Sequence, residues 1–249
     1  MTTFVNTPFG ALEGTEQDGV YRFLGVPFAE KPLGELRFRA PQMVRPWTET
    51  RQATGYEKDP MQANLVLGPE HYSEDCLYLN LWVPETTAKK LPVMVWVPGG
   101  AFATGGSGAV DPEGPSIYDC QQLAKDGGCI VVSISYRLNV FGFLNLSQFS
   151  SRFDDNIGMR DIIMALRWVQ EAIASFGGDP ENVTLVGESA GGEAISALLL
   201  IDEAKPYFHK AIIESNCFGS FYTQEEEREI CELYLQYAGL TADKAEGLL

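Results

Sequence analysis

The stretch Gly187-Glu188-Ser189-Ala190-Gly191 lies between an apolar run, Val183-Thr184-Leu185-Val186, and a helix-forming run over residues 190–201. A G-x-S-x-G string alone arises by chance in about one chain in ten of this length, so the flanks carry the argument. A strand that turns into a helix within five residues holds the central residue in a sparsely allowed backbone conformation. Side chains at the two glycine positions would collide with the neighbouring strand and helix. Such a turn lifts the serine hydroxyl above the end of a sheet. The helix behind it aims unpaired N–H groups and its positive dipole end at the same place. Ser189 is therefore the candidate nucleophile, and the N–H of Ala190 a candidate oxyanion donor.

The rest of the chain predicts a sheet to carry that turn. Residues 77–83 alternate as a strand until Pro84, and residues 91–97 and 130–135 are nearly continuous apolar runs. Such runs suit central strands covered on both faces. Residues 210–214 read as a further strand. Ile162, Ala165, Leu166, Val169 and Ile173 fall at helical spacing and predict a helix over 161–175, stopped by Phe176-Gly177-Gly178-Asp179-Pro180. Residues 225–237 predict an acidic amphipathic helix. Short strands with turns at Gly10, Gly14 and Asp18-Gly19 fill residues 4–25, and loops fill 26–75. Strands alternating with helices imply the α/β class, with a mainly parallel sheet flanked by helices on both faces. Residues 1–249 read as one portion of a single domain, ending soon after the strand that follows the serine turn.

The predicted strand 91–97 runs into Pro98-Gly99-Gly100-Ala101-Phe102. Glycines there let backbone N–H groups turn toward a reacting carbonyl. With Ala190, Gly100 and Ala101 would supply three donors to a tetrahedral intermediate. The composition, 45% hydrophobic and 21% charged, is that of an ordinary globular domain. A net charge of −16 repels phosphate backbones and anionic lipid, which argues against nucleic-acid and membrane partners. No apolar run is long enough to span a bilayer, and residues 1–8 carry no signal-peptide pattern. Cys76, Cys120, Cys129, Cys217 and Cys231 are odd in number and lack metal-ligand spacing. They read as free thiols of a reducing, cytoplasmic compartment. No metal or cofactor is implied, and oligomeric state is not legible.

Further motifs join these: Phe23-Leu24-Gly25-Val26-Pro27-Phe28-Ala29, Leu36-Arg37-Phe38, Ser73-Glu74-Asp75-Cys76-Leu77-Tyr78-Leu79-Asn80, Phe141-Gly142-Phe143 and Gly187 to Gly192. Together they resemble the type-B carboxylesterase and cholinesterase family, over most of the chain. The resemblance implies an α/β-hydrolase fold and a small-molecule ester substrate. It implies Ser189 as nucleophile, with Gly100, Ala101 and Ala190 as oxyanion donors. Glu188 would stand beside the nucleophile, where its charge stabilises an imidazolium. Arg37 with Glu74, and Arg137 with Asp161, resemble the family's internal ion pairs. Three positions depart from the pattern. The family's disulfide partner for Cys76 is replaced by Met61, the residue before the glycine loop is Pro98, and Val66 stands where cholinesterases place a choline-binding Trp. A choline site needs an aromatic face, so a cholinesterase is not expected.

A serine nucleophile needs a base, and the base an orienting carboxylate. In this fold the chain order is Ser, acid, His. Asp202 and His209 follow Ser189, but a helix of about twelve residues carries the chain roughly 18 Å from the turn first. That triad is rejected, and His71 precedes the serine. The family's acid and histidine belong to a C-terminal half beyond these residues. The chain is therefore expected to be inactive by itself and poorly soluble. Two rival readings are a non-catalytic cholinesterase-like binding protein and a truncated inactive product. The intact serine and oxyanion glycines favour an enzyme lineage.

Overall fold

A computed structural model describes residues 1–62, 68–108, 116, 118–216, 219 and 221–249. Val66 and Cys217 lie outside the described residues. In chain order the strands are β1 (Thr2–Thr7), β2 (Gly10–Gln17), β3 (Val20–Pro27), β4 (Arg51–Gln52), β5 (Asp59–Pro60), β6 (Tyr72–Ser73), β7 (Tyr78–Pro84), β8 (Leu91–Val97), β9 (Ile130–Ile134), β10 (Gly178–Glu188) and β11 (Lys210–Glu214). The helices are α1 (Gln121–Gly127), α2 (Asn139–Phe143), α3 (Ile157–Ala172), α4 (Ala190–Leu198) and α5 (Gln224–Tyr237).

The main sheet has the order β1-β2-β3-β7-β9-β8-β10-β11, with β4 beside β2. It is mixed. From β9 through β8 and β10 to β11 all pairs are parallel. From β1 through β2, β3 and β7 to β9 they are antiparallel. The expected parallel sheet is thus the half that bears the serine turn. Tight turns join β1, β2 and β3 and can only reverse the chain, whereas parallel neighbours need a long crossover.

Helices cover both faces, as the apolar runs require. Val93, Val95 and Val97 of β8 and Val183 and Leu185 of β10 are buried in one core with Ile162, Leu166 and Val169 of α3 and Ile195 of α4. Each such side chain contributes about 1.5–3 kcal/mol of transfer free energy. The opposite face of the sheet meets α1, where Ala124 packs with Val20, Trp82 and Val131. Helix α5 docks on a separate cluster through Cys231 and Leu235, and a Thr223–Glu226 capping box fixes its start. At the far edge β11 leaves Ile212 and Ile213 exposed.

Two ion pairs lock loops to this frame. Arg137, just after β9, grips Asp161 of α3 through Nε at 2.8 Å and Nη2 at 2.6 Å, and its own backbone N–H donates to the same carboxylate. Both residues are buried. Arg37 grips Glu74 through Nε at 2.6 Å and Nη2 at 2.7 Å. Cys76 is buried as a free thiol, and Cys120, Cys129 and Cys231 are free as well. Among the described residues, no helix is long and apolar enough to cross a membrane.

Candidate active site

Strand β10 ends level with its neighbours: Gly187 pairs with Val97 of β8 and with Ile213 of β11. Ser189 leaves the sheet two residues later, with φ 55° and ψ −124°. A left-handed φ at a non-glycine residue costs about 1–2 kcal/mol, and the surroundings enforce it. The Ser189 N–H donates to the Glu214 carbonyl at 2.9 Å, while its carbonyl accepts from Glu193 one turn into α4. A Cβ on Gly191 would stand 2.0 Å from the Val97 carbonyl oxygen, and one on Gly187 would stand 2.6 Å from the Gly191 carbonyl carbon. Both neighbours are backbone and cannot yield. Ala190, the first residue of α4, is buried against the turn. As the helix's first residue it has no intrahelical acceptor for its N–H.

The glycine loop after β8 lies against this turn. A Cβ built on Gly99 would be 2.5 Å from the Glu188 carbonyl oxygen, 3.2 Å from Glu188 Oε2 and 3.3 Å from Ser189 Cβ. Sequence-distant residues 99 and 189 are thus in contact, and the Glu188 carboxylate sits beside the loop. Gly100 has φ 114°, and Ala101 and Phe102 each have φ 55°. The Gly100 carbonyl accepts from the N–H groups of Ala103 and Thr104. Other residues brace the loop from outside. Tyr136 Oη donates to the Pro98 carbonyl at 2.7 Å. Asn139 bonds Phe102 through its backbone and Ala103 through its side chain. Gln62 bonds both the N–H and the carbonyl of Gly105. Asp59 accepts from Gly108 N–H at 3.2 Å. Asp59 is buried, and burial pushes its carboxyl up to about 6, against the opposing pull of the Gly108 N–H and the charge of His71. The Tyr118 phenol is raised by burial first and then by the charges of Glu188 and Asp59.

Sequence reasoning missed the braces. Gln62 and Tyr136 stand just after strands, Asp59 in the two-residue strand β5 and Asn139 at the start of the short helix α2, with no spacing to mark them.

Neither histidine bonds to Ser189 among the described residues. His209 sits at the start of β11, where its N–H donates to the Val183 carbonyl at 2.9 Å and its Nδ1 accepts from Val183 N–H at 3.3 Å. Val183 and Ser189 are six residues apart along an extended strand, roughly 20 Å. Asp202 is exposed and pairs with Lys205. His71 ends a 3₁₀ turn, Pro69–His71, with Nε2 3.6 Å from Glu70.

The sequence profile of the carboxylesterase family matches residues 1–248. The chain belongs to the carboxylesterase family. This carboxylesterase chain is 42% identical over 249 residues to the para-nitrobenzyl esterase of Bacillus subtilis, an alignment that covers 98% of the chain and 50% of that protein. It is 42% identical over 243 residues to human carboxylesterase 5A, covering 91% of the chain and 40% of that protein. A PNB esterase structure matches with a TM-score of 0.90 at 42% identity, over 100% of this chain and 51% of the other. A Geobacillus stearothermophilus carboxylesterase matches with a TM-score of 0.89 at 40% identity, over 99% and 50%. The carboxylesterase chain therefore has the α/β-hydrolase fold, and it spans about half the length of these relatives.

Proposed function

We propose that the protein carrying these residues hydrolyses carboxylic esters of small molecules through an acyl-enzyme on Ser189. The observation that carries the reading is the strained Ser189, held at φ 55° with its Cβ beside Gly99 of the glycine loop. Backbone placed this way serves a reacting carbonyl better than it serves packing. In the proposal, Ser189 Oγ attacks the ester carbonyl carbon and passes its proton to a histidine. The N–H groups of Gly100, Ala101 and Ala190 hold the oxyanion, and Glu188 stabilises the imidazolium. The histidine returns the proton to the departing alcohol. Water then attacks the acyl carbon by the same route and frees Ser189. The base and its carboxylate come from residues outside 1–249. His209 supports this by its place at the other end of the strand.

The test compares residues 1–249 with a form extended through a downstream acid and histidine. Each is given a serine-directed fluorophosphonate probe and a short-chain ester. The extended form labels at Ser189 and turns over the ester, while the short form does neither; without the triad only about 10³–10⁴-fold acceleration over water is left. Turnover by the short form at the rate of the long one would sink the division of the triad and bring His71 forward as base. For the alcohol part we propose neutral esters over choline esters, on the strength of Val66. Faster turnover of butyrylcholine than of a neutral butyrate by about tenfold, or about 1.4 kcal/mol of discrimination, would refute it. We also propose a reducing compartment, from the free thiol of Cys76. Alkylation of all five cysteines in denatured, unreduced protein is the expected result, and a disulfide at Cys76 the contrary one.

A further inference from the structure

We propose that Gln62 and Asn139 are positioning residues, which hold the loop from Gly100 to Gly105 in the shape that presents its N–H groups to an oxyanion. The proposal rests on the ester-hydrolase reading above. The loop does not keep this shape by its own bonds. Three successive residues, Gly100, Ala101 and Phe102, have positive φ, and two of them carry a Cβ that opposes it. The internal bonds of the loop close only the turn at the Gly100 carbonyl. Its far end is fixed by side chains from elsewhere in the chain.

Gln62 meets Gly105 with both ends of its amide. Nε2 donates to the Gly105 carbonyl at 2.7 Å, and Oε1 accepts from the Gly105 N–H at 2.9 Å. A two-point bond sets orientation as well as position. Asn139 Nδ2 donates to the Ala103 carbonyl at 2.8 Å and to the Met61 carbonyl at 3.2 Å. One amide therefore joins the loop to the segment that carries Gln62, and the two clamps form a closed ring of bonds. Asn139 also has φ 53°, a conformation that asparagine tolerates and glycine adopts freely. Asn139→Gly therefore removes the clamp without adding backbone strain.

Among the described residues both side chains bond backbone alone, so they act through the loop and not on substrate. The experiment uses the full natural polypeptide with Gln62→Ala, Gln62→Glu and Asn139→Gly. It measures kcat and KM for a short-chain ester, the affinity of a trifluoromethyl ketone whose hemiketal oxygen mimics the oxyanion, and amide hydrogen exchange. Gln62→Ala and Asn139→Gly each lower kcat by about tenfold to a hundredfold, the scale of a misplacement near 1 Å. KM changes by less than about threefold, and ketone affinity falls with kcat. Exchange rises over residues 99–106 and stays unchanged in β8, β10 and α3. Gln62→Glu keeps the acceptor for Gly105 N–H and loses the donor, so it falls between Gln62→Ala and wild type. Unchanged exchange over 99–106, or a lower kcat with full ketone affinity, would overturn the proposal. If the wild-type protein itself neither turns over ester nor binds the ketone, the ester-hydrolase reading fails separately, and the exchange measurement still decides the clamp.

Discussion

Two residues of the site have consequences that follow from contact distances and burial alone. Gly191 has no room for a methyl group, because a Cβ would lie 2.0 Å from the Val97 carbonyl oxygen. Gly191→Ala is expected to destabilise the fold by at least about 2 kcal/mol, the middle of the range for overpacking, and urea unfolding of the purified protein measures it. Asp59 acts in the opposite sense. Burial raises its carboxyl to about 6, so ionisation costs the folded state more than the unfolded one. Stability from this group is whole below the ordinary carboxyl range and declines as pH rises through 6. Asp59→Asn keeps an acceptor for Gly108 N–H and removes the charge. It should raise stability at pH 8 by on the order of 1–3 kcal/mol and leave little difference at pH 4; equal shifts at the two pH values would refute the assignment. The sequence announced Gly191 but not Asp59. The glycine belongs to a motif whose spacing is dictated by collision, whereas a lone carboxylate in a two-residue strand carries no sign that a fold will bury it.

Among the elements, legibility followed the apolar pattern. Strands β8 and β11 coincide with the expected 91–97 and 210–214, because unbroken apolar or bounded β-rich runs leave little freedom at their ends. Strand β10 starts at Gly178, five residues before its apolar run; Asp179-Pro180 reads as a stop, yet the pairing with β8 resumes across an irregularity. Helix α3 starts at Ile157, four residues early, behind a left-handed Asn156. Strand direction was not legible in the first half, since alternation gives the buried face and not the sense of the neighbour. The short helices α1 and α2 have too few turns to show a period. The Arg137–Asp161 pair ties the segment after β9 to α3 at zero exposure of the Asp161 side chain. Asp161→Asn would leave a buried guanidinium charge uncompensated and cost about 3–5 kcal/mol, while the double change Arg137→Met, Asp161→Leu should recover most of it. Thermal and urea unfolding of both variants makes the comparison, and equal losses in the two would contradict it.

At the scale of the whole sheet, β11 is an edge strand of the described residues. Ile212 and Ile213 of β11 are 44% and 36% exposed, and an edge of this kind is a template for further pairing. Replacing both with Lys is expected to raise the monomeric fraction of residues 1–249 in light scattering, with the circular dichroism unchanged. An identical size distribution would show that association arises elsewhere. The same sheet has a history written into its order. Val93 of β8 pairs with Ile130 on one side and with Val183 on the other, so the second partner is about 90 residues further along the chain. The two partners, Ile130 and Val183, are 53 residues apart, so at about 5–20 residues per second of synthesis roughly 3–11 s separate the two pairings. The meander of β1, β2 and β3 needs no such wait. A ribosome thus releases the glycine loop many seconds before the serine it will face, and through that interval the strand that carries the loop has one side open to whatever escorts nascent chains.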